Sequence, residues 1–121
     1  MFRIEIDKSK NLLKLSFSKH VTPRETAEWR EKLAGVIGEM ETGFKLLTDL
    51  SHLELMDTAC AKDIEWSMEL LDKAGIGKVV RIIPDPSKDI GLKILSIFHY
   101  RPCLQIVTCD TMEEALRALA D

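Results

Sequence analysis

Phe2, Ile4 and Ile6 alternate with Arg3 and Glu5, the period-two pattern of a strand with one buried face. A polar turn, Asp7-Lys8-Ser9-Lys10-Asn11, separates it from a second alternation, Leu13, Leu15 and Phe17 against Lys14, Ser16 and Ser18. The chain is therefore predicted to open as an antiparallel hairpin. The period then changes. Thr22-Pro23-Arg24-Glu25 combines an N-cap hydroxyl, a proline suited to the first helical position and a glutamate placed for a capping box. Trp29, Leu33, Val36, Ile37 and Met40 follow on one helical face, and Gly43 lies just beyond the end.

From there single strands and helices alternate. The apolar run 44–50 predicts a buried strand, 53–56 a short connector, and Asp57 or Thr58 the cap of a second helix. That helix carries Ala61, Ile64, Met68 and Leu71 inward and stops at Gly75. Residues 79–83 form a β-branched strand ended by Pro84-Asp85-Pro86, and Asp85 or Ser87 is placed to cap a third helix that Arg101-Pro102 breaks. Residues 104–108 read as the last strand. Thr111-Met112-Glu113-Glu114 is a second capping box, opening a helix with Met112, Ala115, Leu116 and Leu119 inward.

This order predicts an α/β fold of about four helices on a mixed, mostly parallel sheet. The N-terminal hairpin supplies an antiparallel strand at one edge. A single domain is expected over residues 1–121. Burial is expected to peak at Leu46, Leu47, Val80, Ile82, Ile106 and Val107, with Leu33, Ile64, Met68 and Leu116 packed on them.

Composition narrows the function. Seventeen Lys and Arg against twenty Asp and Glu give a net charge of −3 at pH 7, and no basic cluster marks a nucleic-acid face. No stretch approaches the roughly 18 apolar residues of a membrane span. The opening Met1–Glu5 carries charge where a signal peptide needs an apolar run, so a cytoplasmic location with reduced thiols is expected. Cys60, Cys103 and Cys109 are too few and too scattered for a disulfide framework or a metal cluster.

No catalytic constellation emerges, and neither enzyme activity nor a cofactor is expected. His20, His52 and His99 share no helical metal spacing. Gly75-Ile76-Gly77-Lys78 follows a helix and precedes a strand, the wrong order for a phosphate loop. Glu65, Glu69 and Asp72 read as a solvated helix face. Cys60 reads either as a thiol activated at a helix N-terminus or as a small buried apolar residue, and no base is placed beside it. Trp66 is either part of a wide buried stripe or an aromatic at a binding surface.

The stretch 44–58 is the most distinctive, a strand running into Asp49-Leu50-Ser51, an apolar connector, then Asp57-Thr58 at a helix mouth. It resembles the STAS domain family, the sulfate-transporter and anti-sigma-factor-antagonist domains, whose element order fits nearly the whole chain. The resemblance implies a bacterial, non-enzymatic signalling module in which a kinase phosphorylates a hydroxyl residue and thereby switches protein binding. Asp57 matches the family's aspartate and Thr58 its phospho-acceptor, while Ala59 and Cys60 replace the second hydroxyl residue and the glycine. The implied partner is an anti-sigma factor or a kinase-like protein, contacted through Asp57, Thr58, Cys60 and Lys62. A plain helix cap is the local alternative for Thr58.

One segment points elsewhere. Ile90, Leu92, Ile94, Leu95, Ile97, Phe98 and Tyr100 surround the third helix with apolar groups. Such a helix lines a cavity or meets a second subunit. A carrier or sensor of an apolar small molecule or lipid is therefore the competing reading, with Leu95, Phe98 and Tyr100 as the expected pocket or homodimer interface.

Overall fold

The alternating segments become strands β1 (Phe2–Asp7) and β2 (Leu12–Phe17) in the computed structural model, which describes residues 1–121. They pair antiparallel with Phe2 opposite Phe17, Ile4 opposite Leu15 and Ile6 opposite Leu13, so the apolar sets share one face. The turn between them is held by Asp7, whose carboxylate accepts from the Lys10 amide at 3.3 Å and the Ser9 hydroxyl at 2.6 Å. Thr22 caps α1 (Pro23–Val36), its hydroxyl accepting from the Glu25 amide. The remaining main-sheet strands are β4 (Lys45–Asp49), β6 (Lys78–Ile82) and β7 (Gln105–Cys109), alternating with α2 (Ala61–Lys73), α3 (Leu92–His99) and α4 (Met112–Ala120). The five strands lie in the order β1-β2-β4-β6-β7, and every pair after the hairpin is parallel.

Because both sheet faces are covered, neighbouring residues of one strand serve different cores. Leu13, Leu15, Leu46 and Val79 pack with Trp29, Leu33, Ile64, Met68 and Leu71 from α1 and α2, and with Leu92 from α3. Leu12, Leu47, Val80, Ile82 and Cys109 pack on the opposite side against Ala115 of α4. Lys45 and Lys78 reach past the sheet so that their Nζ groups donate to the carbonyls of Leu119 and Ala118. Two cations thus meet the negative end of α4.

Several expectations are corrected. Residues 53–56 form a strand, β5 (Leu53–Met56), which pairs in parallel with the short β3 (Lys19–Val21) in a separate two-stranded sheet. Ile106 and Val107 are half-buried because β7 is the sheet's outer strand. Met112 and Leu116 are exposed, Leu116 by 53%, since α4 turns Ala115, Ala118 and Leu119 to the sheet, small residues that let helix and sheet approach closely. Asp85 caps a separate 3-10 turn, Pro86–Lys88, and α3 starts only after Ile90 and Gly91 adopt left-handed backbone conformations. At the far end of α2 the chain doubles back tightly. A Cβ on Gly77 would lie 2.7 Å from the carbonyl oxygen of Gly43, so that crossing requires glycine.

Candidate functional site

The pairing of β3 with β5 sets His20 opposite Leu55 and Val21 opposite Met56. Val21 and Met56 turn inward, leaving His20 and Leu55 exposed. Just past Met56, the Asp57 amide donates to the Val21 carbonyl at 3.0 Å, which fixes the chain as it enters a 3-10 turn, Thr58–Cys60. The Asp57 carboxylate lies 2.6 Å from His20 Nε2. Neither Asp57 nor Thr58 caps a helix through its side chain, because α2 begins only at Ala61 and the preceding turn has no side-chain cap. Thr58 and Lys62 are exposed, and Asp57 is half-buried against His20.

Cys60, expected at the contact surface, is instead fully buried, with Sγ 3.8 Å from the Val21 carbonyl oxygen. With three residues per turn, a 3-10 turn sends residues two apart to different sides, so Cys60 anchors the turn in the core while Thr58 is displayed to solvent. Burial pushes its thiol pKa up, with the charges of Asp57 and Asp63 acting in the same sense and the nearby Thr26 hydroxyl in the opposite one. That is the reverse of an activated thiol.

The start of α2 is pinned to α1. The Asp63 carboxylate accepts from the Thr26 hydroxyl at 2.5 Å and from Arg30 Nη1 at 3.0 Å, and the Arg30 guanidinium covers the Trp66 ring at 4.4 Å. Trp66 is therefore half-buried beneath a cation. The acids expected on a solvated face are partly engaged. Glu65 and Glu69 lie 3.9 and 3.5 Å from His99, and Asp72 lies 3.2 Å from Arg101. Asp49-Leu50-Ser51 is a structural turn, in which the Asp49 carboxylate accepts from the Ser51 amide at 2.9 Å and Leu50 is buried.

Leu95, Phe98 and Tyr100 do not share one surface. Tyr100 is buried, Leu95 packs half-buried on the core, and Phe98 is 76% exposed on the outer side of α3. A groove of about 970 Å³ does lie between α3 and β7, with Tyr100 in its wall, but its apolar lining from α3 is Ile94 and Ile97. Its floor includes Arg81, which is only 4% exposed.

No family model and no curated protein matches the chain. Solved structures do match over their length. The phosphorylated form of the Bacillus cell fate determinant SpoIIAA shares 16% identity at a TM-score of 0.69, covering 98% of this chain and 99% of that one. The chain has a SpoIIAA-like fold. An uncharacterised protein of SpoIIAA-like fold from Shewanella loihica shares 15% identity at a TM-score of 0.69, covering 98% of this chain and 93% of the other. An anti-sigma factor antagonist from Mycobacterium paratuberculosis shares 19% at 0.63, covering 100% and 96%. The SpoIIAA-like arrangement is the α/β sheet with an antiparallel edge hairpin that the STAS resemblance implied. None of the helices is long and apolar enough to cross a membrane.

The element order made the Asp57–Thr58 turn legible, but it did not bring His20 to it. That contact spans 37 residues and depends on β3, whose three residues are too few to show periodicity. Arg81 carries one signal, a charge inside the otherwise β-branched run 79–83.

Proposed function

We propose that this chain is a non-enzymatic regulatory module of the cytoplasm, a single domain over residues 1–121 that binds a protein partner. Its binding surface is His20, Leu55, Asp57 and Thr58, with Lys62 at the rim. The observation that carries this reading is the state of Thr58. Its side chain is exposed, caps neither the turn nor α2, and follows the exposed apolar Leu55 by three residues on a turn anchored by the buried Cys60. A hydroxyl so presented is open to a kinase, and a rigid turn next to an apolar residue suits docking. The SpoIIAA-like fold supports the reading, since its solved examples include anti-sigma factor antagonists and a phosphorylated form. By that likeness the partner is an anti-sigma factor or a kinase-like protein.

The physics of the switch follows from the site. A phosphate on Thr58 adds about −1.5 to −2 charges at neutral pH. Asp63 is engaged by Arg30 and Thr26 and Asp57 by His20, so the nearby carboxylate in sequence without such a partner is Glu54. The fold tolerates the charge, because Thr58 is in water. A partner seated over Leu55 does not, because it must desolvate the phosphate.

Thr58→Ala and Thr58→Glu baits separate the possibilities when used against lysate of the native host and then against the purified captured protein. Thr58→Ala is expected to bind as the parent does, and Thr58→Glu at least about tenfold more weakly. Phosphate mapped to Thr58 in protein from its native host completes the case. Equal binding by both variants, with Thr58 unmodified, refutes the switch. Unchanged binding by Leu55→Asp refutes the surface.

A further inference from the structure

Arg81 stands two residues along β6 from Val79, on the sheet face that α1, α2 and α3 cover. It is buried to 4% exposure, and its one side-chain hydrogen bond runs from Nη2 to the Ser96 hydroxyl at 2.6 Å. No carboxylate pairs with it, unlike Arg30 with Asp63 or Arg101 with Asp72. Ser96 in turn donates to the Leu92 carbonyl at 2.6 Å, so it serves Arg81 only as an acceptor. A guanidinium carries five N–H donors in a fixed fork that matches a carboxylate. Here most of that fork lacks a protein acceptor, and the residue lines the floor of the groove between α3 and β7.

The groove's walls are apolar near that cation. Ile83, Ile94, Ile97 and Ile106 line it, and Ile97 is 71% exposed. Its volume of about 970 Å³ is at the upper end of the usual range for small-molecule sites. The rim carries mixed charge. Asp89 and Asp110 oppose a second negative charge, while Lys93 and Arg101, the latter paired with Asp72, are the other cations of the lining. A buried lone cation below an apolar wall is complementary to one kind of molecule, an amphiphile with a single negative head.

We propose that this groove binds a monocarboxylate with an aliphatic body, its head on Arg81 and its chain along Ile83, Ile94, Ile97 and Ile106. The proposal is independent of the Thr58 surface. The head receives a two-point hydrogen bond in a site largely screened from water, where such a contact is strong. The chain covers the isoleucines that α3 otherwise leaves in solvent.

The test is displacement of the fluorescent fatty acid cis-parinaric acid from the intact protein by dodecanoate and, separately, by dodecanol. These share a chain and differ in the charged head. Dodecanoate is expected to displace the probe at least about tenfold more effectively than dodecanol. In Arg81→Met, which keeps an unbranched side chain and removes the charge, the two are expected to compete equally. Equal competition in the parent protein overturns the proposal without any variant having to fold. Discrimination that persists in folded Arg81→Met overturns it as well. So does a stable dimer that Ile97→Asp dissociates and dodecanoate leaves intact, since a second copy then occupies the groove.

Discussion

Replacing Arg81 with Met is expected to stabilise the protein. The guanidinium is 4% exposed, and its pKa is drawn below the ordinary arginine value by burial, against the opposing influence of Tyr100 and Asp89. It nonetheless stays charged at neutral pH. Taking an ion from water into a protein costs several kcal/mol after relaxation. What it receives in return is one charge-assisted hydrogen bond to Ser96, worth about 1.5–3 kcal/mol. Met fills most of the same space with flexible apolar groups. Ser96 is not orphaned by the change, because its hydroxyl already donates to the Leu92 carbonyl. The balance is a gain of about 1–3 kcal/mol, as found when other buried ionic groups give way to apolar ones. Urea titration followed by tryptophan fluorescence reads this as a midpoint raised by about 0.5–1.5 M with an unchanged slope. A midpoint lowered by about 0.5 M or more shows that Arg81 is held by favourable interactions, and the account of it as an uncompensated cation is then wrong.

Ile82, 2% exposed between the sheet and α4, should lose about 2–5 kcal/mol on replacement by Ala, and a loss under about 1 kcal/mol would mean that β6 is not central. Cys103 is exposed whereas Cys60 and Cys109 are buried, so native protein should consume about one equivalent of a thiol reagent quickly and about three in denaturant; a second fast thiol would contradict the burial of Cys60 or Cys109. Burial raises the pKa of Cys60, Cys109 and Tyr100, so the folded state keeps protons that the unfolded chain releases. Stability should therefore hold up to about pH 8.5 and fall above it, by at most about 1.4 kcal/mol per pH unit for each thiol; urea midpoints that agree between about pH 8 and pH 10 would refute this.

The legible part of the fold was the part with a period. The β1–β2 hairpin, the Thr22 and Thr111 caps and the alternation of single strands with helices all left marks in sequence, and they suffice for the main sheet. What escaped was short or relational. β3 is three residues long, one of them with positive φ at Lys19, and β5 alternates nothing because both Glu54 and Leu55 face solvent. In α4, Leu116 outranks Ala115 by hydrophobicity, yet the sheet accepts Ala115 because a small residue lets the helix axis come close. Cys60 and Thr58 are near neighbours in sequence, whereas the 3-10 turn separates them into an anchor and a displayed group. The same holds for α3. Its apolar excess was visible, but its division among core, groove and outer surface depends on where β7 ends the sheet.

One element, α2, runs from the Thr58 turn to the helix that lines the groove, and its fastening decides whether the two proposed surfaces communicate. Its first turn follows Thr58, while its later turns meet the end of α3 through Glu65 and Glu69 at His99, and the segment after it through Asp72 at Arg101. A ligand at one surface influences the other only if α2 has two arrangements that it can bias. The Asp63 carboxylate argues against a second arrangement, since it holds the buried Thr26 hydroxyl and Arg30 together, and Arg30 closes over Trp66. Shifting α2 would strand the buried Thr26 hydroxyl and the largely buried Asp63 carboxylate, at about 1–3 kcal/mol for each buried donor or acceptor left unpaired. A charge on exposed Thr58 offers nothing that repays this. The switch is then electrostatic and local, and Thr58→Glu should bind dodecanoate with the affinity of the parent while its melting temperature stays the same. A change beyond about threefold in that affinity would mean that α2 does move, and that the Asp63 link is weaker than its hydrogen bonds imply.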